Sequence, residues 1–372
     1  MHLKSYFPIL ALAGVAALAL FPSWTAKAGE VAGTPEYKVL PPIHHGNLTV
    51  FPVVSAVSHN TQQFLTLDEG LRSGEVVVTE SGSIRPLMRG RVIPIRPSGA
   101  QVNQLVLINN SKRPLILLAG EIVTGGKQDR VIGKDRIVPA ESDPIDLSVF
   151  CVEPGRWTGT ASFGVSGGAG GGVGGGSFSS PMASPKVRAK AMGDKDQAQV
   201  WNEVRNAQVE VTSKISAPAA VAVQGTTSYA RVMENVEVKK QVDAVAAPME
   251  REYRSLIQQL RDQNAVGVVV AVNGQIIWAD MFASTDLLEK YWPKLVRSYA
   301  AEAFVSPAKD RETDVKAAQA FLNDLNGRHE TVESEPGLYR HTEIDGEGFR
   351  AFELTSLLPK TGFELHVAKM AD

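Results

Sequence analysis

Cysteine is almost absent: Cys151 stands alone among 372 residues. An intramolecular disulfide and a multi-thiolate zinc site are therefore excluded. A charge excess is lacking too, with 38 basic against 40 acidic side chains. A nucleic-acid partner would leave a basic excess, and an anionic membrane surface a polybasic segment; neither is present. Apolar runs long enough to span a bilayer are also missing. The longest, Phe7 to Phe21, is about 15 residues against the roughly 20 required. No H-E-x-x-H or H-x-H spacing links His44, His45, His59, His329, His341 and His366, so no metal or cofactor is assigned.

What the N-terminus does have is Lys4, that short apolar run, and then Ala26-Lys27-Ala28. This is the layout of a secretory signal peptide over residues 1–28, cleaved before Gly29. It predicts an exported mature protein, periplasmic or secreted, with no membrane span. A large chain without disulfides must rest on its core, which suits a bacterial periplasm.

Residues 37–163 read as β-rich. "NLTVFPVVS", "GEVVVTE", "RVIPIRP", "VNQLVLINN", "RPLILLAGE", "DRIVP" and "IDLSVFCVE" are short β-branched runs separated by turn residues, as in an antiparallel sandwich or open barrel. "LDEGLRSGE" reads as one helical turn, and Asn109 to Lys112 as a hairpin turn. Residues 164–185 are a Gly/Ser/Pro-rich, flexible insert by composition. That insert spells G-x-G-x-x-G and G-x-S-x-G, but no strand enters and no helix leaves, so neither carries its usual chemistry.

Residues 186–372 read as α+β, either the second half of one domain or a packed subdomain. Val200, Val204 and Ala207 form one helical stripe; Val242, Val245, Met249 and Tyr253 form another, with Pro248 expected to break or kink that helix. "AVGVVVAVNGQIIWADMFAS" is a hairpin about Asn273-Gly274, and Ser284 or Thr285 caps the helix after it. A further helix, "DVKAAQAFLNDLN", precedes a hairpin turning at Asp345-Gly346 and a final strand. The fold class is α+β, with a β-rich first half, a helical middle and a second small antiparallel sheet with helices.

The most polar stretch between apolar strands is "GEIVTGGKQDR", Gly120 to Arg130. A P-loop would need glycine at 121 and Ser or Thr at 128, where Glu121 and Gln128 stand. Gly125-Gly126 could still form an anion-binding nest beside Lys127 and Arg130. The echo Gly133-Lys134-Asp135-Arg136 suggests two charged turns, either solvated with local Asp–Arg pairs or forming a binding surface. Cys151 shares strand parity with Ile145, Leu147 and Val149, which marks it as buried and structural. "EPGRW" places Glu153, Arg156 and Trp157 within five residues. They could hold an anionic planar ligand, or form a corner in which Arg156 pairs with Glu153.

Together, Gly120-Glu121, Gly125 to Arg130 and the run Cys151 to Trp157 resemble the signature of the ADP-ribosylglycohydrolase and rhodanese-phosphatase-superfamily-associated protein domain. "GVVVAVNGQIIWADMF" and "YWPKLVRSYAAEA" resemble its second half, so the likeness runs from Val39 to about Ala303 or beyond. The family's name implies a link to ADP-ribose metabolism but brings no catalytic residues to transfer. The signal peptide and the glycine-rich insert depart from its usual pattern. The reading favoured is a non-catalytic module that binds a small anionic ligand or a partner protein through Lys127, Gln128, Asp129, Arg130, Glu153, Arg156 and Trp157. The alternatives are a hydrolase with Glu121 or Glu153 as general base on a phosphate- or ADP-ribose-containing substrate, and a structural envelope protein.

Overall fold

A fully buried strand from the front of the chain runs through the sheet of the back half. Leu48–Ser55, without one exposed residue, pairs antiparallel with Asn264–Val272. In the computed structural model, which describes residues 37–81, 103–156, 163–164, 180–307, 313–335 and 337–372, this pairing anchors a nine-stranded sheet. Tyr37–Val39 and Ile43–His45 share its outer edge along Leu48–Ser55. Beyond Asn264–Val272 come Gln275–Phe282, Glu364–Ala371, Phe349–Ser356, Tyr339–Gly346 and Gly327–Glu335. The sheet of the C-terminal half thus grows by recruiting three strands from the N-terminal half. Pro35–Asp372 forms one compact unit.

The sheet's two faces follow strand parity. Leu48, Val50, Val268, Trp278 and Phe282 pack beneath the helices Val236–Gln259 and Thr285–Val305. Phe51, Val53, Val269, Ala279 and Met281 pack on the helix Val315–Asn323. Ser284 caps the helix Thr285–Val305 by accepting the Leu287 N–H. Asn273 and Gly274 both have positive φ, 54° and 71°, as a type I′ turn demands. Pro248 does not break its helix, which runs on from Val236 to Gln259. The last hairpin turns two residues later than expected, at Glu347-Gly348: Gly346 and Phe349 are paired, and Gly348 takes the positive φ.

The front half forms two further sheets. One runs in the order Phe163–Gly164, Ile122–Gly125, Arg130–Ile132, Ile145–Cys151, Gln104–Asn109 and Val76–Glu80; the other in the order Arg136–Val138, Leu115–Leu117 and Leu65–Thr66. Leu105, Leu107, Val123 and Val149 from the first meet Leu115, Leu117 and Val138 from the second in one core. "LDEGLRSGE" is a seven-residue helix, Leu67–Ser73, with a Thr66/Glu69 capping box. Asn109 to Lys112 is a turn but not a hairpin. The Asn109 amide ties it to the Arg113 and Pro139 carbonyls, so the chain leaves one sheet for the other.

Part of the glycine-rich insert belongs to the fold. Phe163–Gly164 pairs with Ile122–Gly125, and Ser180, Met182 and Ala183 are buried. Backbone bonds from Ile122 to Pro181 and from Ala183 to Gly120 hold this stretch against the signature. Residues 1–28, expected as a signal peptide, "RVIPIRP", residues 165–179 and Trp157 lie outside the described residues. Among those described, no helix is long and apolar enough to cross a membrane.

Candidate functional site

The loop Gly125 to Arg130 is an anion nest, and its anions are the protein's own carboxylates. The Gly125 N–H donates to Asp129 Oδ1 at 2.9 Å, the Lys127 N–H to Glu80 Oε1 at 2.9 Å, and the Asp129 N–H to Glu153 Oε2 at 3.0 Å. Three alternate amides are thus taken internally, which the positive φ of Gly125 and Gly126 allows. The second half of the signature closes the arrangement. Arg156 pairs with Glu153 at 2.5 Å and donates to the Gly126 and Gly125 carbonyls. The Gln128 amide donates to the Glu153 carbonyl. Asp129 also receives the Ser228 hydroxyl at 2.6 Å, which ties the loop to the start of the helix Tyr229–Glu234. Burial pushes the Asp129 carboxyl above its usual range, against the pull of those donors.

Gln128, Asp129, Arg130, Glu153 and Arg156 therefore converge, as does the backbone of Lys127. They face inward: Arg130 is 0 % exposed, Glu153 2 % and Asp129 4 %. Cys151 is buried beside them, and burial raises its thiol pKa. Glu121 joins a different cluster. It accepts Lys294 at 2.5 Å and the Leu118 N–H at 2.8 Å. Lys294 also pairs with Asp68 at 2.7 Å, and Asp68 in turn holds the backbone and hydroxyl of Ser180. Burial alone would lower the Lys294 pKa, but the two carboxylates outweigh it and keep the ammonium charged.

Sequence reasoning missed a third cluster, which contains the echo loop's Asp135. Asp135 is fully buried and meets His366 Nδ1 at 2.5 Å instead of pairing with Arg136, which bonds Glu335. His366 Nε2 lies 3.1 Å from Asp280. Arg188 clasps Asp280 through both terminal nitrogens, at 2.8 and 2.9 Å, and the Tyr299 hydroxyl donates to the same carboxylate. Burial would lower the His366 pKa; Asp135 and Asp280 reverse that and raise it to about 9. The result is a solvent-free chain of alternating charge, Asp135–His366–Asp280–Arg188. One signal was legible: Asp280 shares strand parity with the buried Trp278 and Phe282.

Solvent reaches a different place. A cleft of about 370 Å³ opens where the helix Thr285–Val305 ends over the sheet. Pro185, Ile277, Trp278 and Met370 give it an apolar lining, and Lys186, Glu302 and Asp372 its charges. Lys186 Nζ lies 3.1 Å from Glu302. Burial raises the Glu302 pKa even so. Among the described residues, no group of three or more His, Cys, Asp and Glu is placed to hold a metal ion.

A family model, the ARG and Rhodanese-Phosphatase-superfamily-associated Protein domain, matches residues 36–368, and the chain belongs to that family. No curated protein and no solved structure matches the chain.

Asp129→Ala strips the acceptor from a half-buried amide and a buried hydroxyl, and should cost about 2 kcal/mol of unfolding free energy in urea. Asp129→Asn, which keeps an acceptor, should cost less. A loss below about 0.5 kcal/mol for the alanine variant would remove the bracing role. His366, with its pKa raised from 6.5 to about 9, stabilises the fold fully below pH 6.5 and loses that contribution as pH rises through 9. An NMR titration should find its imidazole still protonated at pH 8. Deprotonation at or below 6.5 would refute the charged assignment.

Proposed function

We propose that this chain is an exported, non-catalytic binding module. Its receptor is the cleft beside Lys186 and Glu302, and the family signature is the frame that holds it. One observation carries the reading. The loop suited to an external anion is filled by Glu80, Asp129 and Glu153, whereas the cleft opens to solvent between helix end and sheet. Its volume lies in the range of small-ligand sites, and its mostly apolar wall with a few polar groups has their usual make-up. The hydrolase reading finds less support. Glu121 and Glu153 are 0 % and 2 % exposed, and each already holds a cation and a backbone amide. A general base needs to reach its substrate proton directly or through one water.

Export rests on Lys4, the apolar run and Ala26-Lys27-Ala28. Mass spectrometry of the chain recovered from its native cell envelope should give a mature form starting at Gly29; a chain retaining Met1 would reject export. The cleft is tested by NMR with small amines, carboxylates, sugars and nucleotides as probes. At least one class should shift the Ile277, Trp278 and Met370 resonances, and Ile277→Trp, which fills the cleft, should abolish the shift. The same samples should not turn over ADP-ribose or p-nitrophenyl phosphate. Turnover lost in Glu153→Gln would replace this reading with the hydrolase.

A further inference from the structure

We infer that His341 is an acid-sensitive latch between the front half and the large sheet: charging its imidazole loosens Arg136–Val138, and the loop before it, from Tyr339–Gly346. Its place in the fold comes first. His341 shares a sheet face with Tyr339, Phe352 and Leu354, all three in the core beneath the long helices. The Phe352 ring lies 6.2 Å from its own, centroid to centroid. His341, Leu354 and His366 stand in one row across three neighbouring strands. Front-half residues cover that row. Arg136–Val138 packs against Tyr339–Gly346, and Asp135, just before it, reaches His366.

The two imidazoles of the row are held in opposite ways. His366 has a carboxylate at each ring nitrogen. His341 is 1 % exposed, and neither of its ring nitrogens has a hydrogen-bond partner. Charging it would bury two unanswered donors and a net charge. The carboxylates that face it are already engaged. Asp135 accepts the Ala119 N–H on one oxygen and His366 on the other, and Glu343 on its own strand pairs with Lys195. Lys134 in the loop and Lys195 beyond it add positive charge, and burial outweighs both carboxylates to lower the His341 pKa. Arg136 is held by Glu335. His366 stays charged from pH 7 to pH 5, so His341 is the histidine left to titrate at this joint. As pH falls below 6.5, an opened joint takes up a proton that the closed one refuses, and the closed state loses ground.

The experiment is amide hydrogen exchange on the full chain between pH 7 and pH 5, corrected for the intrinsic effect of pH on exchange. The segment Arg136–Val138 should open about tenfold more often at the acid end, while Val268 and Val269 in the middle of the large sheet hold. His341→Phe sets an aromatic ring without a titrating group among Tyr339, Phe352 and Leu354, and should lose the acid response. If that variant does not fold, His341→Gln replaces it. An NMR titration of the native chain supplies a second readout, in which the His341 ring should remain neutral at pH 6.5. An acid response that survives the substitution overturns the inference, because another group then carries it. So does an Arg136–Val138 segment that opens no faster at pH 5, an acceleration spread evenly over the whole chain, or a His341 ring already charged at pH 6.5.

Discussion

The front half of this protein meets the large sheet through a buried alternation of charge. Asp135 comes from the front half, Asp280 and His366 from neighbouring strands of the large sheet, and Arg188 from the short helix Pro185–Ala189; the Tyr299 hydroxyl on the long helix completes the set. Removing four charges from water costs several kcal/mol each, and only close alternate pairing with hydrogen bonds offsets that. The constraint is severe because no member can move alone without leaving a partner charged in the dry interior. Gly120 shows how tight the fit is. A Cβ there would lie 2.6 Å from the Arg188 side chain, so the glycine of the signature's Gly-Glu pair makes room for the arginine. The Ala119 N–H completes the link by donating to Asp135 at 2.7 Å.

The same logic governs the signature itself. Its loop has the shape of an anion receptor, with glycines freeing amides at alternate positions, but carboxylates from the loop and its neighbours occupy those amides. Such an arrangement stiffens the junction between the front sheets and the helix Tyr229–Glu234 through Asp129 and Ser228. It also carries the segment Ser180 to Ser184, which is pinned by Asp68 and Gly120. That segment leads directly into Pro185 and Lys186, on the wall of the cleft. The signature is thus joined to the wall of the cleft through a few residues of backbone.

How much of this was legible varied by the range of the interaction. Strands such as Leu48–Ser55 and Ile145–Cys151, the Asn273-Gly274 turn and the Ser284 cap all depend on residues within a few positions of one another, so pattern alone reveals them. The corner of Glu153 and Arg156 was equally local, and their pairing needed only a three-residue span. The polar strand Gly327–Glu335 went unseen, because a strand at a sheet's edge needs no apolar alternation. The burial of Asp129 and Asp135 was also missed, since a charged turn looks the same in sequence whether it meets water or a distant partner.

By itself, then, the sequence determined the α+β class, the type I′ hairpin, one helix cap at Ser284 or Thr285, the apolar stripes, the buried Cys151 and the pairing of two motif halves. These follow from short-range geometry and from which side chains leave water. Only the tertiary structure decided that Leu48–Ser55 would join the sheet of the other half, that Asp135, His366, Asp280 and Arg188 would form one buried chain, and that the anion nest would be filled from within. The physical reason is distance along the chain. Arg188 and Asp280 are 92 positions apart, and Asp135 and His366 231. No local preference encodes such a meeting; it exists only once the sheets have packed and expelled the water that would otherwise keep those charges apart.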